Sequence, residues 1–549
     1  MTIIQLSSLE KVFLSDEIKV KEYNHATALK GEKISYQIAF KSENQRCHFQ
    51  RLTVNIKSPL NDCIKMYNVV HVPSQLPAYS KFVLGYDDDY ITVKPGLFPD
   101  ALIPINDNYC EMYSDVWSTI WIEINLPADV APGTYPIEFS LKYDDVVVKK
   151  IFTLEVLNVT LPLSDFKFTQ WFHTDCLYTH YNVKPFSEEH WKIIENFAKT
   201  AVDNGMTMIL TPVFTPTIDI DVGGERPTNQ LMGIEKCGEK YKFDFSNLER
   251  WIEMCRRIGI KYYEIPHFFT QWGAQSPAKI MGVENGEYKK LFGWENSAVS
   301  DEYAVFLNQF IPELKKFFKS KNLLDKVYFH ISDEPSKENI ESYKAAHDLI
   351  TPLISDCNSM DALSDYEFYE KGLVKIPVVA NNHIKPFLNK NIEELWTYYC
   401  CGQTVGVSNR FFAMPSYRNR IMGIQMYKYG ISGFLQWGYN FYYAARSRKE
   451  INPYITTDGI NTFVSGDAFS VYPGENGECY PSLRLLVFND ALQDMRALKL
   501  LEEKIGYENV MKILEENLDF EIEFDKYPKN AEYILNLREK VNSMLLECF

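Results

Sequence analysis

The hydrophobic periodicity of the chain changes near residue 160, and this change constrains the fold more than any other feature. Before that point apolar residues recur at every second position, as at Ile34, Tyr36, Ile38 and Phe40, which is typical of half-buried strands. After residue 165, short apolar runs alternate with amphipathic helical patterns, which favours a parallel sheet covered by helices. The chain therefore predicts an all-β unit followed by an α/β unit.

We predict three segments. Residues 1–160 should form an antiparallel β-sandwich, because a turn at Asp144-Asp145 joins two strand patterns as in a hairpin. Residues 165–480 should form a (β/α)8 barrel of the TIM type. Residues 481–549 should form C-terminal helices packed on the barrel, since Leu485, Phe488 and Leu492 share one helical face.

Eight apolar segments are candidates for the barrel strands, and a long loop separates the second from the next helix. The segments are Phe168–Asp175, Met206–Val213, Lys261–His267, Lys326–Ser332, Asp361–Ser364, Pro377–Asn382, Leu395–Cys400 and Gly433–Gly438.

Composition excludes several classes of partner. The chain has 549 residues with 57 basic and 73 acidic side chains, a net charge of −16 that disfavours nucleic acid and anionic membranes. It contains no apolar window of the roughly 20 residues needed to cross a bilayer and no secretory signal pattern. The chain has eleven cysteines and no CxxC pair, a pattern that favours reduced thiols over a disulfide framework. We expect a cytoplasmic protein without nucleic-acid or membrane partners, and the oligomeric state stays open.

Two adjacent carboxylates, Asp333 and Glu334, follow the apolar run of the fourth predicted strand. Barrel enzymes place their chemistry at the carboxyl ends of strands. Pro335 should hold Glu334 in an extended conformation, and Ser336 should cap the next helix. The alternative is structural, because acidic residues are also favoured near helix N-termini by the macrodipole. The barrel context favours catalysis.

The adjacency of the pair restricts the mechanism. Neighbouring Cα atoms lie about 3.8 Å apart, so both side chains approach a substrate from one side. A two-carboxylate glycosidase places its groups on opposite sides of the anomeric carbon, so adjacency favours one acid/base and a different nucleophile. A 2-acetamido group of the substrate can be that nucleophile. Glu334 would then act as acid/base, and Asp333 would orient the amide and stabilise an oxazolinium intermediate.

The pair within His330–Pro335, the preceding sandwich, the barrel and the segment from Ser482 to Arg496 resemble glycoside hydrolase family 123, the retaining β-N-acetylgalactosaminidases. The resemblance extends over most of the chain. It implies that Asp333 orients the acetamide and that Glu334 is the acid/base. It also implies an exo-acting glycosidase that removes a terminal β-linked N-acetylhexosamine, most often GalNAc, from a glycan or oligosaccharide.

Aromatic and polar residues near the ends of other predicted strands are candidates for sugar binding, because pyranose rings pack on aromatic planes and their hydroxyls need polar partners. For each of them, packing in the barrel core is the alternative. The candidates are His173, Asp175, His267, Trp272, Asn382, Trp396, Tyr398, Trp437 and Tyr439.

Three other hypotheses stay open. His173, Asp175, His267, His330 and Asp333 could bind a metal ion, although no HxH or HExxH spacing supports it, so we expect neither a metal nor a cofactor. A glycosidase for another sugar could use a distant second carboxylate, for which the candidates are Asp458, Asp467 and Glu475. The barrel could also be a carbohydrate-binding protein without turnover.

Overall fold

The computed structural model describes residues 1–15, 17–42 and 49–549. Among the residues described before position 161 there are ten strands, in two five-stranded sheets with the orders β1-β3-β8-β5-β6 and β2-β10-β9-β4-β7. Their bounds are β1 (Thr2–Ser7), β2 (His25–Lys30), β3 (Lys33–Lys41), β4 (Phe49–Lys57), β5 (Ile64–Ser74), β6 (Gly96–Pro104), β7 (Tyr109–Tyr113), β8 (Ser118–Asn125), β9 (Gly133–Tyr143) and β10 (Val146–Thr160).

The alternating apolar residues of this region share one buried core that draws on both sheets. Tyr36 of β3 stacks on Phe152 of β10, with ring centroids 4.1 Å apart. The pairing is antiparallel throughout except between β2 and β10, which run parallel. The predicted antiparallel unit is therefore slightly mixed, because β2 enters the second sheet beside a strand that is distant in sequence.

Fourteen further strands follow among the described residues. They are β11 (Lys167–Gln170), β12 (Met208–Leu210), β13 (Gly233–Cys237), β14 (Lys240–Asp244), β15 (Tyr262–Ile265), β16 (Ile280–Glu284), β17 (Glu287–Phe292), β18 (Val327–Phe329), β19 (Asn358–Leu363), β20 (Ile376–Ala380), β21 (Trp396–Tyr398), β22 (Gly433–Gln436), β23 (Val471–Pro473) and β24 (Cys479–Pro481).

Eight of these strands form one parallel sheet in the order β11-β22-β21-β20-β19-β18-β15-β12. The amide of Thr207 donates to the carbonyl of Phe168 at 3.1 Å, which brings β12 beside β11 and nearly closes the barrel. The predicted eight-stranded barrel is confirmed in this form. A four-stranded sheet has the order β14-β13-β16-β17. Its strands β13 and β14 lie in the region that the sequence pattern assigned to a long loop, and β16 and β17 follow the third barrel strand.

The helices surround the barrel and complete its C-terminal side. They are α1 (Thr174–His180), α2 (Glu188–Asp203), α3 (Ser246–Ile258), α4 (Asp301–Ser320), α5 (Ile340–Ile354), α6 (Tyr366–Glu370), α7 (Ser416–Arg420), α8 (Met422–Lys428), α9 (Leu483–Ile505), α10 (Tyr507–Leu514) and α11 (Ala531–Cys548). Among the described residues, none of these helices has the length and apolar character required to cross a membrane.

Helix α9 ties the N-terminal sheets to the barrel. The guanidinium of Arg484 in α9 forms two hydrogen bonds, of 2.7 and 2.8 Å, with the carboxylate of Asp100 in β6. Both side chains are buried. Because each is the other's charged partner, neither unit could be removed without leaving a buried charge unpaired.

Candidate active site

A cavity of about 270 Å³ opens at the carboxyl ends of the barrel strands. Both Asp333 and Glu334 line it. Other side chains of its wall are Tyr79, Trp171, Asp219, Gln271, Trp272, Tyr398, Cys400, Cys401, Trp437, Arg446 and Phe463. A larger cavity of about 1230 Å³ lies at the opposite end of the barrel, beside the N-terminal sheets, and includes neither carboxylate.

The loop after β18 presents the two carboxylates through a sharp turn. Glu334 has a φ of 45°, in the left-handed region, so the expectation that Pro335 holds it extended is wrong. Ser336 does not cap the following helix either, because a short 3-10 turn intervenes and no side-chain cap bond forms. A non-glycine residue in this backbone region is strained, and such strain concentrates at functional sites.

Neighbouring loops hold the two side chains. Gln271, from the loop after β15, donates a hydrogen bond of 2.8 Å to Asp333 Oδ2, and the amide of Trp272 donates to the carbonyl of Asp333 at 3.2 Å. The hydroxyl of Tyr398, at the end of β21, donates to Glu334 Oε1 at 2.6 Å. Each carboxylate therefore has its own donor, and the two donors come from different strands.

The electrostatics of the pair favour retention of a proton. Burial, together with the neighbouring Glu334 carboxylate, raises the pKa of Asp333 to about 8. Burial also raises the pKa of Glu334, and the hydrogen bond from Tyr398 opposes part of that rise. Because two close carboxylates cannot both ionise easily, the pair titrates as a unit and retains one proton near neutral pH.

A buried ionic group lies beneath the pair. His330 Nε2 lies 2.7 Å from Glu264 Oε1, and Nδ1 lies 3.3 Å from Asp361 Oδ1. Burial alone would lower the pKa of His330, but the hydrogen bonds to the two carboxylates outweigh it and raise the pKa to about 10. His330 is therefore an imidazolium with both ring nitrogens engaged.

His267 lies between this group and Asp333. Its ring is fully buried, 4.4 Å from the ring of His330, and its Nε2 lies 4.0 Å from Asp333 Oδ1. Potential metal-ligand atoms of His267, His330 and Asp361 lie within 4.8 Å of one another. However, the nitrogens of His330 already face carboxylates, so this cluster is built as hydrogen-bonded ion pairs.

Three of the predicted sugar-binding residues line the cavity: Trp272, Tyr398 and Trp437. The indole of Trp272 is 37% exposed, and the guanidinium of Arg446 stacks on it at 4.1 Å from the ring centroid. The indole nitrogen of Trp437 donates to Asp467 Oδ2 at 2.9 Å, which fixes the plane of the ring.

His173 and Asp175 lie outside the cavity wall. Arg226 donates to both oxygens of Asp175, at 2.6 and 2.9 Å, and to His173 Nδ1 at 2.9 Å. The second ring nitrogen of His173 donates to the carbonyl of Trp437 at 3.0 Å. Burial and the adjacent guanidinium lower the pKa of His173 to about 3, so the ring is neutral. These contacts stabilise the start of α1. His173 and Asp175 do not line the cavity, although we had predicted that they bind the sugar.

Trp396, Tyr439 and Asn382 also lie away from the cavity. Trp396 faces the barrel interior two residues before Tyr398, so it packs one layer deeper. Tyr439 packs outside the barrel, where its hydroxyl donates to the carbonyl of Phe197 at 2.9 Å. Asn382 is exposed and accepts a hydrogen bond from Gln403. Asn382 and Tyr439 follow the ends of β20 and β22, where the chain leaves the strand geometry, so sequence spacing did not predict the direction of these two side chains.

The candidate second carboxylates are likewise not in the cavity wall. Asp467 is buried behind Trp437, and burial raises its pKa to about 7. Asp458 accepts a hydrogen bond from the amide of Asn461, and Glu475 is exposed. The third carboxylate that does line the cavity is Asp219, whose Oδ2 accepts from the amide of Arg446 at 2.7 Å.

Several residues of the site were missed in the sequence. Tyr79 reaches the cavity from the N-terminal region. Asp219 and Arg446 come from long loops whose sequences show no hydrophobic periodicity. Glu264 carried a signal, because it is a charged residue inside the apolar run of β15. A carboxylate in such a strand must have a partner, and it does, in His330.

Comparison with known proteins identifies the family. The model of the glycoside hydrolase 123 catalytic domain matches residues 171–501, more than half of the chain. The chain belongs to glycoside hydrolase family 123. A family 123 glycoside hydrolase from Clostridium perfringens, solved to study glycolipid glycan hydrolysis, is 16% identical with a TM-score of 0.73, covering 100% of this chain and 97% of that one.

Other similarities of the family 123 chain are weaker. A β-glucuronidase from Bacteroides uniformis is 10% identical with a TM-score of 0.30, and the alignment covers 81% of this chain and 47% of that one. No curated protein sequence matches the chain significantly. Membership of family 123 makes the protein a glycosidase and a glycan its substrate class.

Proposed function

We propose that this family 123 glycosidase removes a terminal β-linked N-acetylhexosamine, GalNAc in the first instance, from a glycan with retention of configuration. Glu334 acts as the acid/base, and Asp333 assists the attack of the substrate's own acetamide group. The observation that supports this most strongly is the adjacency of two carboxylates in one cavity, Asp333 buried and Glu334 half-buried, each with a separate hydrogen-bond donor.

The geometry favours assistance by the substrate over a protein nucleophile. Asp333 and Glu334 are neighbours in sequence, so they reach the sugar from the same side. A retaining enzyme with two protein carboxylates needs about 5 Å between them across the anomeric centre. The acetamide oxygen of the sugar can attack from the opposite side instead, while the amide N–H donates a hydrogen bond to Asp333.

The shared proton supports a division of roles. When an acetamide N–H donates to Asp333, it stabilises the anion there, and Gln271 already donates to the same carboxylate. The proton of the pair then resides on Glu334, which can transfer it to the leaving oxygen. As positive charge develops on the oxazolinium ring, the Asp333 anion stabilises it in a buried site.

The cavity suits one sugar ring with an apolar acetamide methyl group. Trp171, Trp437 and Tyr398 supply aromatic surface around the carboxylates. Aromatic planes pack on the C–H faces of pyranoses, and a volume of about 270 Å³ is close to the lower end for small-molecule sites.

The test is Glu334→Gln, with Glu338→Gln as a matched control because Glu338 is an exposed glutamate four residues further along the chain. We expect Glu334→Gln to lower kcat on an N-acetyl-β-galactosaminide with a poor leaving group by about 10²- to 10⁴-fold. Substrate binding, measured by calorimetry, should persist, and the control should keep full activity. Unchanged turnover in Glu334→Gln would refute the assignment. Absence of turnover in the wild type with retained sugar binding would favour a binding protein.

A further inference from the structure

We infer that His267 is a positioning residue for Asp333: a neutral imidazole, fully buried behind the carboxylate, whose Nε2–H completes the set of donors that fix it. This inference rests on the proposed role of Asp333. Gln271 donates to Asp333 Oδ2, and Oδ1 is the oxygen that faces His267 Nε2, at 4.0 Å. Neither ring nitrogen of His267 has a hydrogen-bond partner in the part of the chain that the structure describes.

An unpartnered buried imidazole is costly, because its polar atoms have lost water without gaining a bond. A catalytic role is one reason for which such groups are retained in proteins. Hydrogen bonds of catalytic groups are commonly long in the free enzyme and shorten when substrate is bound. A contraction of about 1 Å would convert the contact between His267 and Asp333 into a hydrogen bond. A substrate acetamide that draws Asp333 into place supplies the driving force.

The surroundings of His267 hold it in the neutral form. The charged and titratable groups near it are the His330 imidazolium, Asp333 and Asp361, and Trp171 packs against its edge. Burial, together with His330, lowers the pKa of His267 well below its usual range. Glu264 and Asp361 in turn keep His330 charged, so the two histidines have opposite and fixed protonation states.

A neutral donor has a chemical advantage over a charged one at this position. An imidazolium against Asp333 would form an ion pair and weaken the field that the carboxylate exerts on a developing oxazolinium. A neutral N–H orients the carboxylate and leaves its full charge for the substrate. The Glu264–His330–Asp361 group thus acts through His267 on the orientation of Asp333.

The test compares His267→Phe, which removes both nitrogens, with His267→Gln, whose side-chain amide restores an N–H near the position of Nε2. Thermal melting establishes that each variant is folded. With 4-nitrophenyl N-acetyl-β-galactosaminide, we expect His267→Phe to lower kcat by about 10- to 100-fold, with a smaller change in KM. His267→Gln should recover most of that loss. A lost donor also raises the pKa of Asp333, so the acid limb of the kcat/KM profile should move up by about one pH unit in the Phe variant alone.

A second readout does not require turnover. The difference in thermal stability between each His267 background and its Asp333→Asn counterpart, followed against pH, reports the pKa of Asp333 directly. The pH midpoint of this stability difference should rise in His267→Phe and stay near the wild-type value in His267→Gln. Equal midpoints in all three backgrounds, or equal kinetic losses in both variants, would overturn the inference. If the wild type hydrolyses only 2-hydroxy sugars, the proposed function fails, and this midpoint still decides the role of His267.

Discussion

Tyr398→Phe isolates one hydrogen bond of the proposed acid/base. The variant removes the hydroxyl that donates to Glu334 Oε1 at 2.6 Å and keeps the ring that packs in the barrel interior. A hydrogen bond to a charged group contributes about 1.5–3 kcal/mol, which corresponds to roughly one to two pKa units. Because this bond stabilises the carboxylate, its loss raises the pKa of Glu334 further.

The direction of the kinetic effect follows from the role of the group. Glu334 must be protonated to act as an acid, so a higher pKa extends activity toward higher pH. The assay is the pH dependence of kcat/KM on a 2-acetamido glycoside. We expect the alkaline limb to move up by about one pH unit, while kcat at the optimum falls because the proton is transferred less readily.

Tyr399→Phe is the matched control. Its hydroxyl donates to Asn419 Oδ1 at 2.8 Å in the buried core, and Tyr399 does not line the cavity. This variant should keep the wild-type pH profile. An alkaline limb that stays in place in Tyr398→Phe, or moves to lower pH, would refute the assignment of Glu334 as the acid.

Two further predictions concern stability. Because the pKa of Asp333 is raised to about 8, its ionisation destabilises the fold, so stability from this group is present at low pH and lost as pH rises toward 8. Asp333→Asn should therefore be more stable than wild type at pH 8, by up to about 5 kcal/mol, with the difference vanishing near pH 4 in denaturation experiments. Arg226→Met leaves the buried Asp175 unpaired and should cost about 3–5 kcal/mol, whereas Arg250→Met, at an exposed ion pair, should cost at most about 1 kcal/mol. Equal losses in the two arginine variants would contradict the structural role of Arg226.

The barrel could be predicted because its strands are buried and apolar. Each of the eight predicted segments overlaps an observed strand. Seven of these strands are shorter than predicted, as at Lys326–Ser332, where only Val327–Phe329 pairs, and β19 is longer. Residues beyond the paired part turn into loops, and the apolar pattern continues into them because the loops are buried too. Hydrophobic periodicity indicates which residues are buried, but it does not indicate where the hydrogen bonding between neighbouring strands ends.

The candidate site was predicted in part, because several residues that follow the barrel strands reach the cavity, Trp272 and Trp437 among them. Asp333, Glu334 and Tyr398 follow strands closely and reach the cavity. His173 and Asp175 were expected there as well, but Arg226 arrives from a distant loop and binds both. Contacts between residues far apart in sequence depend on loop conformations that a local pattern does not encode.

Asp333→Asn, assayed on a matched pair of nitrophenyl β-glycosides that differ only in a 2-acetamido or a 2-hydroxy group, tests the central claim most directly. Asp219→Asn is the control, because Asp219 lines the same cavity. We predict that Asp333→Asn lowers kcat on the acetamido sugar by at least about 100-fold more than on the hydroxy sugar, and that Asp219→Asn does not discriminate. An equal loss on both sugars in Asp333→Asn would contradict catalysis assisted by the substrate.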